Sequence, residues 1–192
     1  VAIVVTVEPG QEAISVDQAK EHLNVLHDLD DLYIHALIRV ARETVENLTA
    51  RIVGVSKTVK FFMDEFPQGS TIFLPLGKTQ GVTSLKYYDT AGVLQTLSSD
   101  LYFVDLETTP SRICVKPSHS WPSTELGRPS AVVIEFMAGY PSVDSIPAPL
   151  VQAMKLLIGH WYANREDVTS APYEHREIPN GAKYLALPYR VY

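Results

Sequence analysis

Apolar positions along this chain recur with two different periods, and the switches between them mark out its elements. The opening "VAIVVTV" is an unbroken apolar run of seven residues. It is too short to cross a bilayer, lacks the flanks of a signal peptide, and predicts a strand or an ordered arm. "SVDQAKEHL" then places Ser15 and Gln18 at capping-box spacing, predicting a short helix that stops near Asn24. A second helix is expected from about Leu29 to Thr49, N-capped by Asp28. At 100° per residue, Leu29, Tyr33, Ala36, Leu37, Val40 and Leu48 share one face, and Ile34, Ile38, Ala41 and Val45 widen it. The polar sector that remains, His35, Arg39, Arg42, Glu43 and Glu46, is narrow and reads as a solvated face. A helix in a small monomer needs only a stripe a little wider than 100°, so the extra apolar surface calls for a second partner.

From about Val53 to Tyr140 the period shortens, and β-rich runs alternate with turn residues: 58–66, 71–75, 82–88, 93–97, 101–106, 112–116 and 131–140. "YYDTAGVL" has the form of a hairpin with Gly92 at positive φ, and Gly139 in "MAGYPS" is placed likewise in a turn that ends a strand. In "RICVK", Ile113 and Val115 point to one side and Arg112, Cys114 and Lys116 to the other, so one face is buried. The longest loop, Pro117 to Pro129, carries Trp121 and is expected to be an exposed tip.

Helical spacing returns in "IPAPLVQAMKLLIGHWYANRED", 146–167, whose two prolines suit a first turn. Leu150, Val151, Met154, Leu157, Ile158, Trp161 and Tyr162 form its broad face. A second strip, Ala153, Leu156, His160 and Ala163 beside Gly159, is small enough for another helix to approach. The tail from Val168 to Tyr192 has a possible helical turn around Gly181 to Leu187 and three tyrosines in its last nine residues, Tyr184, Tyr189 and Tyr192. The pattern predicts an α+β chain in one domain. A small helical bundle, 12–52 with 146–167, carries an inserted antiparallel β-sheet or barrel over 53–145 and an extended C-terminal tail over 168–192.

Composition narrows the function more than the fold. Apolar residues make up 46% and charged residues 20% of 192, the balance of an ordinary globular domain rather than a disordered or fibrous one. The net charge of −6 and the scatter of the 16 basic residues argue against a protein that grips nucleic acid through its phosphates. One cysteine, Cys114, leaves no internal disulfide and suits a reducing compartment.

Candidate chemistry fails on spacing. "LGKTQ" holds Gly-Lys-Thr, but Ile72 stands where a phosphate loop needs its first glycine. "HDLDDLY" offers His27, Asp28, Asp30 and Asp31, yet Tyr33 and Arg39 occupy the glycine and glutamate positions of a calcium loop. None of the six histidines has zinc-site spacing, and "PSHSW" lacks the surroundings of a nucleophile elbow. "NLT" at Asn47 falls late in a helix and is accidental as a glycosylation pattern. No catalytic residue, metal site or cofactor site is expected, and no membrane contact.

The order of the pieces resembles the phage head-tail connector family, the adaptor or head-completion proteins of long-tailed bacteriophages. In that family a short S/T-x-x-x-A-K-x-H-L helix precedes an acidic turn and a long D-x-x-I-x-x-L-I-x-x-A-R-x-x-V-E-x-x-T helix. Ala19, Lys20, His22, Leu23, Asp31, Leu37, Ile38, Ala41, Arg42, Val45, Glu46 and Thr49 stand where the pattern wants them. Residues 81–105, 136–167 and 178–192 are also similar to members of the family, most specifically the helix with "A-x-x-L-L-x-x-H-W-Y-x-N-R-E" character, while 1–11 match no pattern.

The resemblance implies a structural virion protein without enzymatic activity. Copies, usually twelve, would form a ring on the portal protein, extend the channel around double-stranded DNA without binding it specifically, and present a surface to the next neck or tail protein. On this reading Ile34, Ile38, Val45, Ala153, Leu156 and His160 face neighbouring copies. The tail, through Tyr184, Leu185, Leu187, Pro188, Tyr189, Arg190 and Tyr192, binds the portal, and deleting 178–192 leaves a folded protein. Alternative readings are a stopper or tail-terminator at the neck and, more remotely, a small-molecule or cell-wall enzyme, for which a cleft of convergent ionisable groups would be needed.

Overall fold

A computed structural model of the chain describes residues 2–7, 10–165 and 180–191. Helices α1 (Val16–Leu23), α2 (Asp31–Thr49), α3 (Ala148–Ala163) and α4 (Asn180–Ala186) pack together. Strands lie before and between them: β1 (Ala2–Val7), β2 (Lys57–Met63), β3 (Thr71–Phe73), β4 (Thr79–Tyr88), β5 (Leu94–Thr96), β6 (Tyr102–Asp105), β7 (Arg112–Val115) and β8 (Val132–Ala138). The class is α+β, as the two periods imply.

All strand pairings are antiparallel, in two open sheets of order β1-β2-β8-β4-β5 and β3-β7-β6. Every β-rich run of the sequence contributes a strand. Alternation does the folding: Val132, Ile134, Phe136 and Ala138 of β8 are buried, as are Val59 and Phe61 of β2, and they share one core with Ile72, Ile113 and Tyr102 of the smaller sheet. The hairpin between β4 and β5 closes as expected. Gly92 sits at φ +75°, and the Asp89 carboxylate accepts from the amides of Ala91 and Val93.

The helices enclose a second core. Ser15 and Gln18 form a reciprocal capping box on α1, and Asn24 ends that helix in the left-handed region at φ 56°. α2 departs from expectation in two ways. Its first residue is Asp31 and its N-cap Asp30, because the Asp28 carboxylate is held by Lys20 at 2.6 Å instead of capping. Its buried face is also rotated from the one expected. Ile34, Leu37, Ile38, Ala41 and Val45 pack against α1 and α3, while Leu29 and Val40 are exposed.

That rotation corrects the interface assignment. Ile34, Ile38, Val45 and Ala153 are sealed in the chain's own core, so these four side chains face their own copy and not a neighbour. α4 supplies much of the cover. It lies on α3 with Ala182 and Ala186 buried, and a Cβ on Gly181 would sit 3.6 Å from Leu156. The segment expected as an extended tail is thus helical and docked over its last described residues.

The two cores meet at a buried ionic cluster. Arg42 donates to Glu12 at 2.8 Å and to Glu46 at 3.0 Å, and Lys57 of β2 donates to the same Glu46 oxygen at 3.0 Å. The other Glu46 oxygen accepts from the amide of Val53, also at 3.0 Å. Arg42 and Glu46, expected on a solvated face, instead tie α2 to the first strand after it.

Candidate docking surfaces

At the turn between α1 and α2 the usual polarity is inverted. Beyond Asn24 the chain reads "VLHDLDDL", and each of its acids is held by a side chain of the protein's own helices. Lys20, whose ammonium is largely covered, holds Asp28 at 2.6 Å and Asp31 at 2.9 Å. Asp30 accepts from the Tyr162 hydroxyl at 2.6 Å and pairs with Arg165 at 3.2 Å, and the Arg165 guanidinium also lies over the Tyr33 ring. With the acids anchored, the interleaved leucines project outward: Leu26 is 99% exposed, Leu29 90% and Leu32 89%. Isolated exposed apolar residues are ordinary, but three at every third position of an anchored turn concentrate apolar surface there, as contact sites do.

These contacts set the protonation of the turn. Hydrogen bonds to Asp28 and Asp31 push Lys20 up to about 12, while the hydrogen bonds from Lys20 and from Tyr162 hold Asp28 and Asp30, respectively, below the usual carboxylate range. A carboxylate that is more acidic folded than unfolded contributes stability above its unfolded value of 3.8, lost as pH falls through the lower folded one. Lys20 contributes below 10.5 and loses that contribution as pH rises through about 12. The melting temperature is therefore expected to decline in acid below about pH 4, and less steeply in Asp30→Asn, as measured by calorimetry across pH.

A second surface lies at the other end of α2. The 3₁₀ turn Leu187–Tyr189 follows α4 directly and is tied down by the amide of Val191, which donates to the Thr49 carbonyl at 2.8 Å, and by Arg51 Nε, which donates to the Tyr189 carbonyl at 3.1 Å. Among the expected portal-binding residues, Leu185, Leu187 and Tyr189 are half-buried, whereas Tyr184, Pro188 and Arg190 are exposed. Tyr192 lies outside the described residues. Removing 178–192 would uncover the core beneath Ala182 and Ala186, so the deletion is expected to lower stability as well as to remove the tail. Among the expected interface residues only Leu156 and His160 keep partial exposure, Leu156 beneath α4.

Two further features are exposed. β1 pairs with β2 along one edge only, and Ile3, Val4, Val5 and Val7 are all exposed. At the far end of the β region, a cavity of about 410 Å³ runs between 64–68 and 120–127, where Trp121 stacks on Phe66 at 5.1 Å. Among the described residues no group of histidine, cysteine and acidic side chains could hold a metal ion, and no helix is long and apolar enough to cross a membrane.

The leucines of the turn were not legible as a surface. Leu29 falls on the apolar face of a regular helix drawn through it, yet it lies ahead of the first turn of α2. Their spacing of three across the turn and into the start of α2, with acids between, was the signal available.

No protein-family model and no curated protein matches the chain. Solved structures do. The chain is similar to a chain of the "Neck of empty GTA particle computed with C6 symmetry", with TM-score 0.82, 22% identity, and coverage of 100% of this chain and 96% of that one. It is similar to a chain of the "Virion of native gene transfer agent (GTA) particle", with TM-score 0.80, 22% identity and the same coverage. A chain of the "Neck of native GTA particle computed with C12 symmetry" aligns with TM-score 0.79 and 24% identity, again over 100% of this chain and 96% of that one. From β1 to the docked C-terminal turn, this chain therefore has the fold of a protein found in the necks of phage-like gene transfer agent particles.

Proposed function

We propose that this protein is a structural component of the neck of a phage-like virion, an adaptor that forms a ring, usually of twelve copies, between the portal and the tail. The observation that carries the reading is the end-to-end fold match to neck chains, with nothing substantial left over in either partner. Chemistry agrees with it. An acidic chain of net charge −6 suits the wall of a conduit, since DNA must slide past without basic side chains gripping its phosphates. The function is assembly through complementary surfaces.

The portal would be met by the exposed side of α4, where Tyr184 is 72% exposed and Lys183 lies beside it. An exposed tyrosine on a docked helix costs little to immobilise and buries a large area, the profile of an interface anchor. Tyr184→Ala is expected to leave the melting temperature unchanged and to weaken capture by isolated portal about thirty-fold, the effect of a 2 kcal/mol anchor. Capture of the wild type by a tail-side protein but not by portal would make it a stopper or terminator instead.

A further inference from the structure

We infer that β1 is a donated strand: in the assembled ring it leaves its own β2 and pairs with β2 of the adjacent copy, so that each copy gives one strand and receives one. The inference rests on the neck reading and supplies the contact between copies that the buried helix faces cannot. β1 is fastened to its own copy by backbone pairing. Five of its six residues are apolar, yet all six are exposed and none belongs to either core. It touches little besides β2, along a ladder that runs from Ala2 opposite Phe62 to Val7 opposite Thr58. Ile3 and Val5 stand opposite the buried Phe61 and Val59, on the core side of the sheet, and still find no cover. The strand also has none of the charge or proline that guards natural sheet edges. In a lone copy its apolar side chains stay wet, whereas a strand lying in the junction between two copies has a body on each side.

The ladder itself identifies the occupant. The edge of β2 that β1 fills already matches this strand in register and length, so the same segment of a second copy fits it pair for pair. Exchange of an identical element creates no new surface to be matched, which makes it an accessible route to assembly. Donor and acceptor are different surfaces of one chain, and a strand passed on from copy to copy closes a ring. The chain between strand and body is long enough. Glu12 is held by Arg42, and Ala13 and Ile14 are sealed in the helical core, so the fixed body begins there. The ten steps from Glu12 back to Ala2 span at most about 33–36 Å, the width of a small domain. The ladder is irregular where this arm begins, with a register shift between Val5 and Val7, and Gly10 has nothing within 4 Å of an added Cβ.

The test uses Val4 and Lys60, which stand opposite each other and are both exposed. Val4→Cys and Lys60→Cys are combined in a Cys114→Ser background, and necks of assembled particles are oxidised and run on a denaturing gel without reductant. The expected product is a series of covalent multimers extending beyond two copies. Monomers with both thiols consumed leave β1 on its own copy and overturn the inference; a series that stops at two copies is a reciprocal exchange and overturns the ring contact. Free thiols here and in Ala2→Cys with Phe62→Cys, the next outward pair, mean that β1 is not on β2 in necks and overturn it as well. In parallel, V4P/V5P puts proline at one position that donates to β2, since neighbouring residues of an edge strand alternate in the direction of their N–H groups. The variant is expected to keep both cores folded, as β1 is in neither, and to enter necks on the order of tenfold less. Undiminished entry overturns the inference while leaving the neck reading in place. If the wild type is absent from necks, the neck reading fails and the inference falls with it.

Discussion

Glu46→Ala is expected to destabilise the protein by about 3–5 kcal/mol, the usual effect of removing one partner from a buried ion cluster. The side chains of Arg42 and Lys57 are 3% and 5% exposed, and both donate to one oxygen of Glu46. Alanine removes the carboxylate oxygen that two largely buried cations share, while Arg42 keeps Glu12 and the more distant Glu43. It also strips the Val53 amide of its acceptor. Urea denaturation reads the loss directly as a lower midpoint at an unchanged slope. Glu46→Gln removes the charge but keeps an oxygen for Val53, and is expected to fall between alanine and wild type. The location gives the variant a second signature. Because the cluster joins the helical core to β2, loss of Glu46 loosens the junction between the two cores, and amide exchange at Val53 is expected to rise more than exchange in β8. A uniform rise in both would mean that Glu46 adds global stability without acting as a joint.

The history of that cluster in the sequence explains what periodicity can and cannot deliver. Arg42 and Glu46 sit on the polar side of a helical wheel, and a wheel distinguishes apolar from polar, not water from protein. Their partners Glu12 and Lys57 lie 30 and 11 residues from the positions they bind, a relation that no local pattern encodes. The same limit governed α2. Its apolar sector was legible, but the wheel spread it evenly, whereas α1 and α3 cover only the side of Ile34, Ile38, Ala41 and Val45. Which half of a wide sector is core depends on where the neighbouring helices run. The strands fared better, because a period of two has only two faces to choose between, and Ile113 or Phe136 on the wrong one would expose the core.

For the candidate surfaces the legible part was the residue type and the hidden part was direction. Three tyrosines near the C-terminus marked a docking element, and α4 with its following turn does dock, on its own helices. Acids in "HDLDDL" suggested capping, and Lys20, Tyr162 and Arg165 use them to pin a turn. Once the acids are anchored, the leucines between them point the other way. This physical link could be recovered only by knowing where Lys20 and α3 end.

Gly139→Ala is expected to cost about 3 kcal/mol, combining left-handed backbone strain of about 1–2 kcal/mol with a contact that cannot relax cheaply. Gly139 ends β8 at φ +105°, as the turn in "MAGYPS" requires. A Cβ there would stand 2.7 Å from the Gly54 carbonyl oxygen and 3.0 Å from Ile52 Cγ2. Both obstacles are fixed by function in the fold: Gly54 O accepts the amide of Tyr140 at 3.0 Å, and Ile52 belongs to the β core. Moving the carbonyl aside breaks that hydrogen bond at the crossing from β8 toward α3, where Tyr140 is itself buried in the helical core. Gly81→Ala provides the contrast within the same sheet, since nothing lies within 4 Å of its added Cβ and its φ is not in the left-handed region. Thermal denaturation of the two variants side by side is expected to show a drop for position 139 and a change of less than about 0.5 kcal/mol for position 81. Equal effects would mean that loss of glycine flexibility in the sheet, rather than the close approach to Gly54, sets the cost.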